Sequence, residues 1–172
     1  MFEYYSSSRG HIFEGVEVLR YSITLPSFPE AERISLFYRD VFDAVLSYCN
    51  TELTAYAEKR YAECELPKKR FTYTPVCYRL DGRVTHDDGE LTFVKLTATV
   101  GQREPKLESL CALDAHAWSL SEQCLLPPRQ AARRIMGKGK ISREIGKNGF
   151  LAENGKMYVC FPDRLAEIGK NE

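Results

Sequence analysis

The clearest pattern in the chain lies between Pro29 and about Cys64. Ile34, Phe37/Tyr38, Val41, Val45, Cys49, Leu53 and Tyr56 recur there at three- and four-residue spacing, with Asp40, Asp43, Ser47, Asn50, Thr54 and Glu58 falling between them. That spacing predicts one helix of about nine turns, apolar along one stripe and wet on the other side. Ser27 reads as its N-cap, with Glu30 three residues on and Pro29 near the first turn. Pro67 ends it, because a proline cannot continue a helix and biases its predecessor away from the α region. A rod this long and one-sided needs a broad apolar partner.

Elsewhere the period shortens towards two. VEVLRYSITL (16–25), RFTYTPVCYRLD (70–81), ELTFVKLTATV (90–100) and LESLCALDAHAWSL (107–120) read as strands rich in β-branched and aromatic residues. Pro75 points to an edge position or a bulge. Asp81–Gly82 and Asp88–Gly89 read as turns, with a weak strand Arg83–Thr85 between them. Helical segments are expected from Leu120 to Leu126 and from Pro127 to Met136, followed by a glycine- and lysine-rich connector over 137–148. Asn154–Gly155 between two apolar arms predicts a hairpin over 149–161. Residues 1–12 are polar and read as ragged, and the tail 164–172 holds at most one helical turn. The expected class is α+β: one long amphipathic helix packed across an antiparallel β-sheet, plus a short helix and a C-terminal β-hairpin. One domain spans 1–172, with an ordered core over about 14–165.

Composition narrows the function classes. At 172 residues the chain can bury a core without disulfides or metal. Its 24 lysines and arginines balance 24 aspartates and glutamates, so no global field favours nucleic acid or an anionic membrane. No apolar run approaches the roughly 20 residues of a membrane span, and the start, Met1 to Ser6, lacks the charged and apolar regions of a signal peptide. A cytoplasmic chain is expected as written, or an extracytoplasmic one if it has been trimmed. The six cysteines, Cys49, Cys64, Cys77, Cys111, Cys124 and Cys160, form no CxxC pair. They read as thiols acting as small hydrophobes in a reducing compartment, with no metal site and no cofactor.

Few residues carry candidate chemistry. Asp114 and His116 are two apart on a predicted strand and share a face, as a carboxylate–imidazole general-base pair would; Ser109 and Ser119 are near in sequence, but no motif ties a nucleophile to them. His86–Glu90 is oxygen-rich but lacks the longer ligand series of a calcium loop, so an acidic turn is the simpler reading. Between 129 and 147 lie Arg129, Arg133, Arg134, Lys138, Lys140, Arg143 and Lys147 against Glu144 alone. Arg133, Arg134, Lys138 and Lys140 are the candidate ligand contacts there, for phosphates or an acidic surface. Gly137 and Gly139 do not supply a phosphate-loop frame, and a solvated basic face is the simpler reading. His11 supports nothing. The ten tyrosines read mostly as core-edge residues with wet hydroxyls.

The segment Gly149 to Pro162 has the order aromatic–aliphatic, glycine turn, then alternating apolar residues ending in Phe161–Pro162. It is similar to the hairpin of the RsiV-like domain family, the extracellular domain of a bacterial anti-sigma factor that also accompanies the peptidoglycan deacetylase PdaC. The strand at 90–100, the Asp114 strand and the Trp118–Leu125 turn into a helix resemble that family's order of elements over roughly residues 16–165. The family's Gly-Gly-Ala-His segment has no counterpart near Asp88, and Asp163–Arg164 replaces the tyrosine that often follows its final proline. The resemblance implies the fold and a non-enzymatic role binding a protein or a cell-wall-related ligand, through the sheet face or the loops carrying Asp88 and 137–148. It implies no individual functional residue. Two alternatives stand beside it: a small enzyme or ligand carrier with a helix–sheet cavity using Asp114 and His116, and a nucleic-acid binder using 129–147.

Overall fold

The computed structural model describes residues 2–64, 73–101, 109–137 and 143–168. Its centre is a six-stranded sheet in the order β1–β2–β3–β4–β5–β6. These strands are Glu3–Phe13, Val16–Ser27, Val76–Asp87, Leu91–Gly101, Ser109–Ser119 and Cys124–Leu125. The helical rod of α1 (Glu32–Tyr48), a π turn (Cys49–Leu53) and α2 (Thr54–Ala62) crosses one face. A second sheet, β7 (Gly149–Glu153), β8 (Lys156–Cys160) and β9 (Leu165–Glu167), joins α3 (Pro128–Met136) on the opposite face. The chain is α+β, as its periodicities predict.

The main sheet is mostly antiparallel, but β2 and β3 run parallel, with Leu19 opposite Val76 and Thr24 opposite Asp81. The rod between them forces this: a strand, a long helix and a return to the neighbouring position form a crossover, which antiparallel neighbours do not need. The polar start is not ragged. It forms β1, turned into β2 at Glu14 (φ 49°) and Gly15 (φ 80°), the paired left-handed conformation that matches strand twist in a two-residue hairpin. The tail likewise supplies a strand, β9, rather than a helical turn.

Ser27 does not cap the rod. It is the last residue of β2, where its hydroxyl donates to the Tyr5 hydroxyl at 3.0 Å. The helix begins at Glu32, and Ser35 closes its entry by accepting from the Phe28 amide (2.8 Å) and donating to the Phe28 carbonyl (2.7 Å). Pro26 is tolerated within β2 because the pairing with β3 stops at Thr24. Pro67 lies outside the described residues.

The rod buries Ile34, Tyr38, Cys49, Leu53 and Ala57 against Leu19, Tyr21, Ile23 and Leu25 of β2, with Phe37, Val41 and Val45 packed at the margin. Ala57, and not Tyr56, continues the stripe: Ala57 is fully buried and Tyr56 half exposed. The cause is the π turn, which inserts one residue into the helical count and rephases everything beyond it. Thr54 Oγ1 donates to the Cys49 carbonyl (2.8 Å) and Thr51 Oγ1 to the Ser47 carbonyl (2.8 Å), holding the widened turn. Asn50, within it, accepts from the Tyr21 hydroxyl at 2.8 Å.

Strand β3 runs straight through the expected turn at Asp81–Gly82. Gly82 is needed there for space: a Cβ would lie 2.8 Å from both Leu25 Cδ2 and Leu96 Cδ2. The real turn is at Asp88–Gly89. On the second face, Phe93, Ala117, Leu126, Ala131, Ala132, Ile145, Phe150 and Leu151 form a separate core under α3 and β7. Between 120 and 126 the chain turns through Gln123 (φ 48°) and forms the two residues of β6, in place of the helix expected there. The Asn154–Gly155 hairpin forms as its sequence predicts, with φ 52° and 75°.

Candidate functional site

Strand β5 places Asp114, His116 and Trp118 on the face beneath the rod, since alternate residues of a strand share a side. Register sets His116 opposite Val94 and Trp118 opposite Thr92 of β4. Above them the first turns of α1 deliver Phe37 and Tyr38, and the result is a polar chain embedded in aromatic rings. Asp114 Oδ2 lies 3.4 Å from His116 Nε2, and His116 Nδ1 lies 3.1 Å from the Tyr38 hydroxyl. Trp118 Nε1 donates to that same hydroxyl at 2.9 Å. Phe37 stands edge-on to His116 and Trp118, with centroids 5.3 and 5.1 Å away.

Burial falls outward along this chain. Tyr38 is fully buried, the His116 side chain is 12% exposed, and that of Asp114 is 65% exposed. Burial pushes the Tyr38 phenol well above its usual range, so it stays protonated and acts as a hydrogen-bonding link. The His116 hydrogen bond holds the Asp114 carboxyl below the ordinary aspartate value against the opposing effect of partial burial, and the Ala115 amide adds to the lowering. Both nitrogens of His116 are therefore engaged within the fold. A general base needs one of them open to a substrate; here the imidazole joins the sheet to the rod.

Ser119 Oγ lies 3.4 Å from Ser121 Oγ and accepts from Arg134 Nη1 at 3.1 Å. Arg134 also pairs with Glu122 at 3.4 Å, so it ties α3 to the turn after β5. Arg133 is exposed on the outer side of α3, while Ala131 and Ala132 face inward. Both expected arginine contacts are thus exposed, and Arg134 is also held in an ion pair. Lys138 and Lys140 lie outside the described residues.

At the acidic turn the carboxylates serve its own backbone. Asp88 Oδ1 accepts from the amides of Leu91 (2.7 Å) and Glu90 (3.0 Å), and Asp87 Oδ1 from that of Gly89 (3.1 Å). The Leu91 amide is the main reason the Asp88 carboxyl sits below its usual range. No cluster of three metal-capable side chains occurs among the described residues. No helix there is long and apolar enough to cross a membrane. Cys49 and Cys160 are buried, which pushes each thiol up to about 11.

Two features escaped the sequence. His11 bonds Glu58 at 2.7 Å, fastening β1 to α2. The other is the outer face of the main sheet. Among the described residues, α3 and the second sheet pack on its β4–β5 side and reach the end of β3, where Lys95 pairs with Glu153 and Thr85 donates to the Ala152 carbonyl (2.8 Å). Across β2 and β3 the positions alternating with the helix-packed ones carry Arg20, Ser22, Thr24, Arg79, Asp81 and Arg83. Arg20 is held by Glu17 and Arg83 by Asp81, each at 2.6 Å. Polar residues at every second position were the available signal.

The architecture recurs in a solved structure. A member of the DUF3298 family from Bacteroides fragilis superposes with a TM-score of 0.57 over 92% of this chain and 82% of that one, at 10% identity. A DUF3298 family protein from Pseudomonas aeruginosa matches at a TM-score of 0.40 over 75% of this chain and 56% of that one, at 11% identity. No protein-family model and no curated protein matches the chain. What the chain shares with the Bacteroides protein is its fold.

Proposed function

We propose that this is a non-enzymatic RsiV-like binding domain that uses the open outer face of β2 and β3 to hold a polar, cell-wall-related ligand carrying hydroxyl and carboxylate groups. One observation carries the reading: among the described residues the second layer meets the sheet at Lys95 and Thr85, and beside it lies a face of hydroxyls and oriented guanidinium groups. Guanidinium forks suit carboxylates, and serine and threonine hydroxyls suit polyhydroxylated ligands. Glu17 and Asp81 hold Arg20 and Arg83 in place, which lowers the ordering cost on binding. The committed state of both His116 nitrogens supports binding over catalysis at Asp114 and His116. The balance of 24 lysines and arginines against 24 aspartates and glutamates weakens a nucleic-acid reading.

The test is titration of soluble muropeptides into 15N-labelled protein. Shifts clustered on β2 and β3, lost in an Arg20→Ala/Arg83→Ala variant of unchanged fold, support the proposal. No shifts at saturating muropeptide, or shifts unaffected by the double substitution, overturn it.

A further inference from the structure

We propose that the chain pairs with a second copy of itself through β1, edge to edge and antiparallel, about a two-fold axis at Ser6. The two edges of the main sheet are built differently. On the far side β6 is only two residues long, and the Leu113 amide of β5 is already bonded to the Pro162 carbonyl at 2.8 Å. On the near side β1 is eleven residues long, and β2 is its only strand partner among the described residues. Its register with β2 is regular from Glu3 to His11, and Glu3, Tyr4, Ser6, Ser8, Arg9 and Gly10 are exposed along it. Proteins usually shorten, cover or bulge such an edge, because its main-chain groups are a template for another strand.

The side chains select the occupant. Opposed residues across a two-fold in a continuous sheet must share a face, so only registers pairing odd with odd and even with even are allowed. Centred on Ser6, Glu3 of each copy meets Arg9 of the other, and neither side chain has an ion-pair partner in its own chain among the described residues. Tyr4 then lies opposite Ser8 and Tyr5 opposite Ser7, large against small. Centred on Ser7, Glu3 would instead meet His11, whose ring Glu58 already holds. Main-chain bonds supply the attraction and the paired charges choose the register.

Sedimentation equilibrium of the full chain, with far-UV circular dichroism as the fold control, decides it. The wild type should be a dimer that dissociates on dilution. Glu3→Arg and Arg9→Glu should each raise the dissociation constant at least tenfold, and the Glu3→Arg/Arg9→Glu double variant should restore it. A wild type that stays monomeric at the highest soluble concentration overturns the proposal. So do single variants that dimerise as tightly as wild type, or a double variant that remains monomeric.

Discussion

Replacing Tyr38 with phenylalanine should cost far more than the loss of one oxygen suggests. The ring volume is kept, so no large cavity forms, and the change falls on the hydroxyl that Trp118 and His116 share. Trp118 is 5% exposed, and its indole N–H would be left buried without an acceptor. An unsatisfied buried donor costs about 1–3 kcal/mol. His116 Nδ1 also loses its partner, but this ring reaches solvent on its Asp114 side, so about 0.5–1 kcal/mol is the appropriate share. Together Tyr38→Phe should lower stability by about 1.5–4 kcal/mol. The discriminating experiment is a double-mutant cycle with Trp118→Phe, read by urea denaturation. Removing both partners leaves no orphaned indole, so the double variant should be more stable than the sum of the singles predicts by about 1 kcal/mol. A Tyr38→Phe cost below about 0.5 kcal/mol, or a strictly additive cycle, would refute the reasoning.

The same chain has a pH signature. The Asp114 carboxyl is held below its unfolded value chiefly by His116, so its contribution is complete above the ordinary aspartate range and is lost as pH falls through the lower folded value. Asp114→Asn should therefore reduce stability at neutral pH and flatten its decline below about pH 4, measured as urea midpoints across the acid range. An unchanged acid limb would show that the carboxylate contributes nothing. Gly82→Ala should destabilise by about 1–2 kcal/mol, because the new methyl enters a space bounded by Leu25, Leu96 and Pro26. A neutral or stabilised variant in thermal denaturation would mean that those side chains yield freely.

Much of the architecture is written in local pattern. The stripe from Ile34 to Leu53 declares a helix because burial on one side demands the helical period whatever lies opposite. Asn154–Gly155 declares a hairpin because few residues adopt its left-handed turn cheaply. Other features depend on partners distant in the chain. Among the described residues β2 is the only strand beside β1, whose serines and Arg9 show no apolar alternation, and the pairing makes it a strand. Asp81–Gly82 looks like a turn, yet Leu25 and Leu96 closing on Gly82 make it a strand interior. The π turn moves burial from Tyr56 to Ala57, since one inserted residue rephases the helix without altering the apolar count.

The sequence by itself determined the helix, most of the strands and the α+β class, because hydrophobic period is a local consequence of burying one face. It also placed Asp114 and His116 on one side of a strand. Only the tertiary structure decided what that pair does, because Tyr38 lies 78 residues from His116 and reaches it only when α1 settles over β5. The parallel pairing of β2 with β3, the polar outer face of those strands and the edge position of β1 were decided in the same way. Each depends on which surfaces the other elements cover, and a chain read one residue after another carries no record of that.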